Sequence, residues 1–111
     1  MASAPLIDLS SIDLTQVAVT SETVGAMNPQ CGGMRQLDHV ISVDNDKGEI
    51  VGVKHVAEDE FWVPLHIPGR PLMPGVLMIE GAAQLSSIFF RLRTDEKRFL
   101  GFTRCDEVVF R

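Results

Sequence analysis

The stretch Leu72-Met73-Pro74-Gly75-Val76-Leu77-Met78-Ile79-Glu80-Gly81-Ala82-Ala83-Gln84-Leu85-Ser86-Ser87-Ile88-Phe89-Phe90 decides the fold. It is nearly all apolar and about long enough, as a helix, to cross a bilayer. Three features oppose a membrane span. Pro74, Glu80 and Gln84 lie within it, a carboxylate at the bilayer centre is costly, and Arg70, Arg91 and Arg93 flank both ends and so set no orientation. The reading taken is a buried helix of a soluble chain, which, being apolar on every side, has to be wrapped by other elements. Leu, Met, Ala, Gln and Glu favour helix, and no proline intervenes between Pro74 and Arg93. Pro74 and Gly75 suit its start, and Arg91, Arg93 and Lys97 suit the C-terminal end of its dipole. The pattern predicts a helix from Gly75 to Arg93.

Working outward, Val63 to Gly75 holds Pro64, Pro68, Pro71 and Pro74. Such a run is neither helix nor central strand, and forms a stiff loop poor in N–H donors. Before it, Leu37 to Val43 and Glu49 to Val56 are rich in β-branched residues and flank the turn cluster Asp44-Asn45-Asp46-Lys47-Gly48. This predicts an antiparallel hairpin. Gln30 to Gly33 reads as a loop. Between Ala4 and Met27 the apolar spacing is mixed. It suggests a short helix capped by Ser10 or Ser11 ahead of Asp13, then an extended piece leading to Asn28-Pro29. Downstream, Phe99-Leu100-Gly101-Phe102 and Val108-Val109-Phe110 are β-prone runs. Strands around one long apolar helix make an α+β domain.

The chain has 111 residues, 45% hydrophobic and 23% charged, which is the composition of a single globular domain with a real core. A formal net charge of −5 argues against binding nucleic acid by counterion release. Cys31 and Cys105 are too few for a disulfide scaffold. Met-Ala-Ser-Ala-Pro at the start carries neither the basic nor the apolar part of a secretory signal. The expectation is one cytoplasmic domain with reduced thiols.

Two side chains stand out chemically. Glu80 sits mid-helix, where a buried carboxylate is expensive unless paired or protonated. Gln84, one turn on, is placed to hydrogen-bond and aim it. His66 lies in the stiff loop. The competing readings are structural: an acid held by Gln84 or a backbone amide, and a loop histidine satisfied locally. His39 and His55 fall in strand patterns and are read as structural. At the helix start, the Gly75 amide faces the positive end of the dipole and permits close approach of a ligand. A histidine, an acid and an anion-binding amide together describe proton abstraction beside a carbonyl. Spacing alone does not name the substrate.

The run from His66 to Gln84 closely resembles the β-hydroxyacyl-acyl carrier protein dehydratases of fatty acid synthesis. Their pattern there is His-Phe-Pro-x-x-Pro-x-Met-Pro-Gly-Val-Leu-x-x-Glu-x-x-Ala-Gln, which His66 and Glu80 match without a gap. Looser likeness covers roughly residues 28 to 111. The resemblance implies the hot-dog fold, with the long helix wrapped by a curved antiparallel sheet. It also implies a homodimer or higher oligomer, with the histidine from one subunit and the acid from the other. His66 would take a proton from C2 of a (3R)-hydroxyacyl thioester, Glu80 would protonate the departing 3-hydroxyl, and the Gly75 amide would polarise the thioester carbonyl. No metal or redox cofactor is implied. The partner would be acyl carrier protein, and Leu72, Met73, Leu77, Phe89 and Phe90 are candidates for the walls of an acyl tunnel. On this reading residues 1–27 are a lead-in and 34–111 the hot-dog core.

The chain departs from the family pattern in three places. Leu65 stands where glycine is common before the histidine, and Cys31-Gly32-Gly33-Met34 replaces an Arg-Tyr-Pro-Phe segment. Family members also continue past Arg111 with a Pro-Gly-Asp turn and two further long strands. The sheet expected here is therefore short, with helix surface and a strand edge left exposed. The alternatives to dehydration are a hot-dog thioesterase, with Glu80 activating water, and a non-catalytic homologue that only binds acyl thioesters. Charge is uneven: residues 1–90 carry four basic side chains against eleven acidic ones, and residues 91–111 carry six against four. Arg91, Arg93, Lys97 and Arg98 are thus the candidate landing patch for an acidic carrier protein, or else a solvated helix end.

Overall fold

The computed structural model describes residues 4–110. The hairpin and the long helix fall where the sequence places them. Strand β1 spans His39–Asp44 and strand β2 spans Glu49–Val53. They pair antiparallel with His39 opposite Val53 and Asp44 opposite Glu49. Asp44 Oδ1 accepts the Lys47 amide at 3.0 Å and closes the turn. A bulge between Val40 and Ser42 shifts the register, which sharpens the local twist. β2 ends at Val53, earlier than expected, because the chain leaves the sheet there toward His66.

Two helices pack on this hairpin. Helix α1, Ser21–Met27, was not anticipated; the Thr20 side chain caps it by accepting the Thr23 amide. The short helix expected near Ser10 is instead a single 3-10 turn, Leu9–Ser11, capped by Asp8. It stops there because Asp13 folds onto Thr15 rather than continuing the turn. The extended piece is present as Val19, which pairs with Val40 and covers that edge of β1. A second 3-10 turn, Gly32–Met34, lies in the expected loop. Helix α2 spans Gly75–Arg93.

The core is Val19, Val24, Leu37, Val40 and Ile88, with Met27, Val43, Ile50 and Leu85 packed against it. A Cβ on Gly52 would meet Leu37 Cδ1 at 2.6 Å and Leu85 Cδ1 at 2.8 Å. The glycine in β2 thus lets α2 approach the sheet closely. The helix is not enclosed on all sides, as its composition suggested. Leu77, Gln84 and Ile88 are buried, while Val76, Met78, Phe90 and Leu92 are exposed. A hairpin two strands wide covers only one flank of a helix, so α2 remains long and apolar enough to cross a membrane by length and composition.

The β-prone C-terminal runs form no strand. Residues 99 and 101–110 are exposed, Leu100 only partly, and Glu107 adopts a positive φ of 55°. β-propensity reflects fit to a neighbouring strand, and among the described residues none pairs with this segment.

Candidate active site

His66 is carried by a loop tied down at both ends. Trp62 is buried, and its carbonyl accepts the amides of Leu65 and His66 at 3.1 and 2.8 Å. Upstream, Glu60 pairs with Lys54 at the end of β2 and accepts the Ala57 amide. Burial raises the Glu60 carboxyl, but the hydrogen bonds from Lys54 and Ala57 outweigh it and hold the group below its ordinary value. Downstream, His66 Nδ1 lies 2.8 Å from the Leu72 carbonyl oxygen. A carbonyl only accepts, so Nδ1 carries the proton and Nε2 of the neutral ring is left with its lone pair. The ring is exposed. Leu65, where the family pattern has glycine, is 73% exposed.

Glu80 projects from the flank of α2 and is half-buried. Its Oε1 accepts from Gln84 Nε2 at 3.0 Å, the i,i+4 bond that helical spacing suggested. Gln84 itself is 2% exposed and is fully engaged. Nε2 also donates to the Met34 carbonyl at 2.8 Å, and Oε1 accepts the amides of Gln36 and Leu37 at 2.9 and 3.1 Å. The Gln84 main-chain oxygen accepts from Asn28 Nδ2 at 3.1 Å. One carboxamide thus fastens α2 to the segment entering β1 and leaves Glu80 a single fixed donor.

Gly75 opens α2, with Pro74 as N-cap and no side chain capping it, so its amide has no intrahelical partner. The Phe110 ring packs on Gly75, where a Cβ would meet Phe110 Cζ at 2.8 Å. Among the described residues His66 and Glu80 make no hydrogen bond to each other.

The acyl-tunnel candidates separate. Met73 and Leu77 line a cavity of about 330 Å³ between β2 and α2, shared with Gln36, Val56 and Leu85. Phe89 and Phe90 line another of about 590 Å³ near Ile50 and Arg93. Leu72 is exposed on the loop. A third cavity, of about 660 Å³, has Glu80, Gln30, Phe90, Phe99, Phe102 and Cys105 among its walls.

The basic cluster is partly neutralised. Arg98 Nε meets Glu96 Oε1 at 2.8 Å, and this bond is the main reason the Glu96 carboxyl lies below its usual range. Arg91 folds back on the carbonyls of Glu96 and Arg98. Arg93 lies 5.1 Å from the Phe89 ring centre, and Arg93 and Lys97 are both exposed. Two residues at the site were not foreseen: Asn28, which fixes the α2 backbone, and Gln30, which lines the same cavity as Glu80. The Asn-Pro-Gln sequence marks only a chain turn, and neither placement is local.

The hairpin, the long helix and the His66–Glu80 spacing together describe a hot-dog-type α+β domain, and comparison with known proteins agrees. The family model for the FabA-like domain matches residues 28–111. The chain belongs to that family. It is 41% identical over 78 residues to the 3-hydroxyacyl-[acyl-carrier-protein] dehydratase FabZ of Desulfotalea psychrophila, covering 68% of this chain and 51% of that protein. The FabZ of Rickettsia canadensis is 40% identical over 72 residues, covering 65% and 46%. That of Xanthomonas oryzae is 38% identical over 77 residues, covering 57% and 50%. The chain spans about half the length of these curated relatives.

Proposed function

We propose that the chain dehydrates (3R)-3-hydroxyacyl groups carried on acyl carrier protein, in fatty acid synthesis. The observation that carries the reading is that one chain holds both a histidine whose Nδ1 is held by Leu72, leaving the Nε2 lone pair free, and a half-buried carboxyl group aimed by Gln84. His66 Nε2 removes the proton from C2. The electron pair forms the C2–C3 double bond, the C3–O bond breaks, and Glu80 delivers its proton to the departing oxygen. Water and a trans-2-enoyl thioester result. His66 is left protonated and Glu80 ionised, and proton exchange through solvent resets both. The Gly75 amide stabilises charge on the thioester oxygen. Met73 and Leu77 offer the apolar wall along which the acyl chain lies, with Leu72, Phe89 and Phe90 completing it on assembly. No metal or redox cofactor takes part. We read α2 as the core helix of a cytoplasmic protein, because Gln84 spends every polar atom of its side chain on other parts of the chain.

His66 is bonded to Leu72 and Glu80 to Gln84 rather than to each other, and the site is read as shared between two copies. Assay on a hydroxyacyl thioester separates the three functional readings by product: enoyl thioester for dehydration, free acid for hydrolysis, neither for a binding protein. The shared site is tested by mixing inactive His66→Ala with inactive Glu80→Gln, then unfolding and refolding them together. Random pairing into two-fold dimers should restore about a quarter of wild-type activity. No recovery, with mixed dimers confirmed by mass, would place both groups in one subunit.

The carrier protein is expected to dock at the end of α2. Arg93→Glu with Lys97→Glu should raise KM for the carrier-bound substrate several-fold and leave a short thioester without carrier unaffected. Charges at a rim act mainly on encounter, and salt screens them within about 8 Å at physiological ionic strength. Added salt should therefore weaken the wild type more than the variant. Equal loss on both substrates would show that the fold, not docking, had been disturbed.

A further inference from the structure

The loop that carries His66 leaves the sheet after Val53 and has little packing to direct it. Between residues 57 and 72 only Trp62 is buried. One buried ring fixes a loop at a point and leaves its direction free. The direction comes from bonds that converge on Glu60. Its carboxylate pairs with Lys54 and accepts the Ala57 amide at 2.9 Å, and its main-chain carbonyl accepts the Val63 amide at 3.0 Å. Trp62, inside that turn, gives its own carbonyl to the amides of Leu65 and His66. Lys54 is held on the sheet from both sides. The Val53 carbonyl accepts the Asp38 amide at 2.9 Å, and the Asp38 carboxylate accepts the His55 amide. Hydrogen bonds thus lead from the start of β1 to the His66 backbone.

The ion pair in this path differs from a surface pair, which contributes little because water screens it. The Lys54 and Glu60 side chains are only 21% and 14% exposed, and the carboxylate has a second donor in Ala57. The His66 ring, by contrast, is exposed. Its Nδ1 bond to the Leu72 carbonyl competes with water, and it persists only where the backbone at both ends is held at the right separation. On the far side of the ring the Ile67 carbonyl accepts the Arg70 amide at 2.9 Å and turns the chain back toward it. On the near side the holding group is Glu60.

We propose that Glu60 is a positioning residue for His66. Its carboxylate, paired with Lys54, sets through the Val63 and Trp62 turns where the His66 backbone lies, and so keeps the ring on the Leu72 carbonyl with Nε2 unprotonated. The inference deepens the dehydratase reading by naming what holds its base, and it can be tested without turnover.

Nuclear magnetic resonance of the full chain carrying isotope-labelled histidine shows which ring nitrogen bears the proton, and His66→Ala assigns the signal. The wild type should show the Nδ1–H form at His66. Glu60→Ala should replace it by a mixture of both forms, while Trp62, the one tryptophan of the chain, keeps the emission of a buried ring. Glu60→Gln has a single side-chain oxygen for two donors and should fall between, as should Lys54→Met. On the (3R)-3-hydroxybutyryl thioester of N-acetylcysteamine, Glu60→Ala should lower kcat by about 10²-fold, the cost of displacing a catalytic group by about 1 Å, with KM unchanged. In a His66→Ala background the same substitution should cost nothing further, because it acts only through the ring. An unchanged Nδ1–H form in the variants overturns the proposal, and so does an undiminished further loss in the His66→Ala background. If Glu60→Ala does not fold, Glu60→Gln and Lys54→Met decide by the same measurements. Release of Trp62 to solvent in those two would make Glu60 an anchor of the whole loop and also overturns it. A tautomer that depends on Glu60, in a protein that makes no enoyl thioester from any hydroxyacyl substrate, would uphold this inference and reject the dehydratase reading.

Discussion

Glu80→Gln should lower turnover on a (3R)-hydroxyacyl thioester by about 10²–10⁴-fold, the range lost with a positioned general acid, while the protein stays folded. The substitution is nearly isosteric, and its carboxamide oxygen can still accept from Gln84 Nε2, so the bond that orients residue 80 survives. What is lost is the acidic proton. His66→Ala should cost a similar factor for a different reason, since the ring that holds a bare Nε2 in place is removed. The ring is exposed, so its loss opens no cavity and leaves thermal stability nearly unchanged. Rates measured on a thioester without carrier, beside melting curves for both variants, check this. Near-normal turnover by Glu80→Gln would remove the acid role from that residue.

How far the sequence could be read depended on how local each interaction is. The hairpin was legible because a polar turn cluster stood between two β-branched runs, and its closing bond, Asp44 to the Lys47 amide, spans three residues. Helix α2 was legible because its start, its composition and its basic end agreed. The Gln84–Glu80 bond was legible because i,i+4 neighbours on a helix must meet. The other Gln84 partners, Met34, Gln36 and Leu37, lie some fifty residues earlier, and no spacing rule reaches that far. Helix α1 escaped because Ser21–Met27 buries only Val24, which leaves no helical stripe to detect. The C-terminal strands were expected from composition and did not form, since β-prone residues need a neighbouring strand. The relation of His66 to Glu80 is of another kind. Fourteen positions of sequence fix their spacing along the chain, but a site shared between copies is set by assembly, which a single sequence encodes only through the surfaces it leaves bare. Val76, Met78 and Phe90 on α2 are such surfaces.

Gln84→Leu should be the most destabilising single substitution in this chain and should abolish activity through the fold. Leucine fits the volume and suits a helix, so packing alone predicts little change. The hydrogen bonds predict otherwise. Removing Oε1 strands the amides of Gln36 and Leu37, two buried residues, and removing Nε2 strands the Met34 carbonyl. A buried polar group left without a partner costs about 1–3 kcal/mol, so the loss should reach about 3–5 kcal/mol. Against a typical domain stability of about 5–15 kcal/mol, this is a large share, and Tm should fall by at least about 12 °C. Gln84→Glu separates the two functions of the side chain. Its carboxylate can still accept the Gln36 and Leu37 amides, so it should be markedly more stable than Gln84→Leu. It cannot donate to Glu80 while ionised, and it sets a like charge one turn away. It should therefore fold yet turn over poorly, with kcat reduced more than KM is raised. Thermal melts and steady-state kinetics on the two variants decide the matter. If Gln84→Leu melted within a few degrees of wild type, the carboxamide would not be what fastens α2 to β1, and the orientation of Glu80 would have to come from elsewhere.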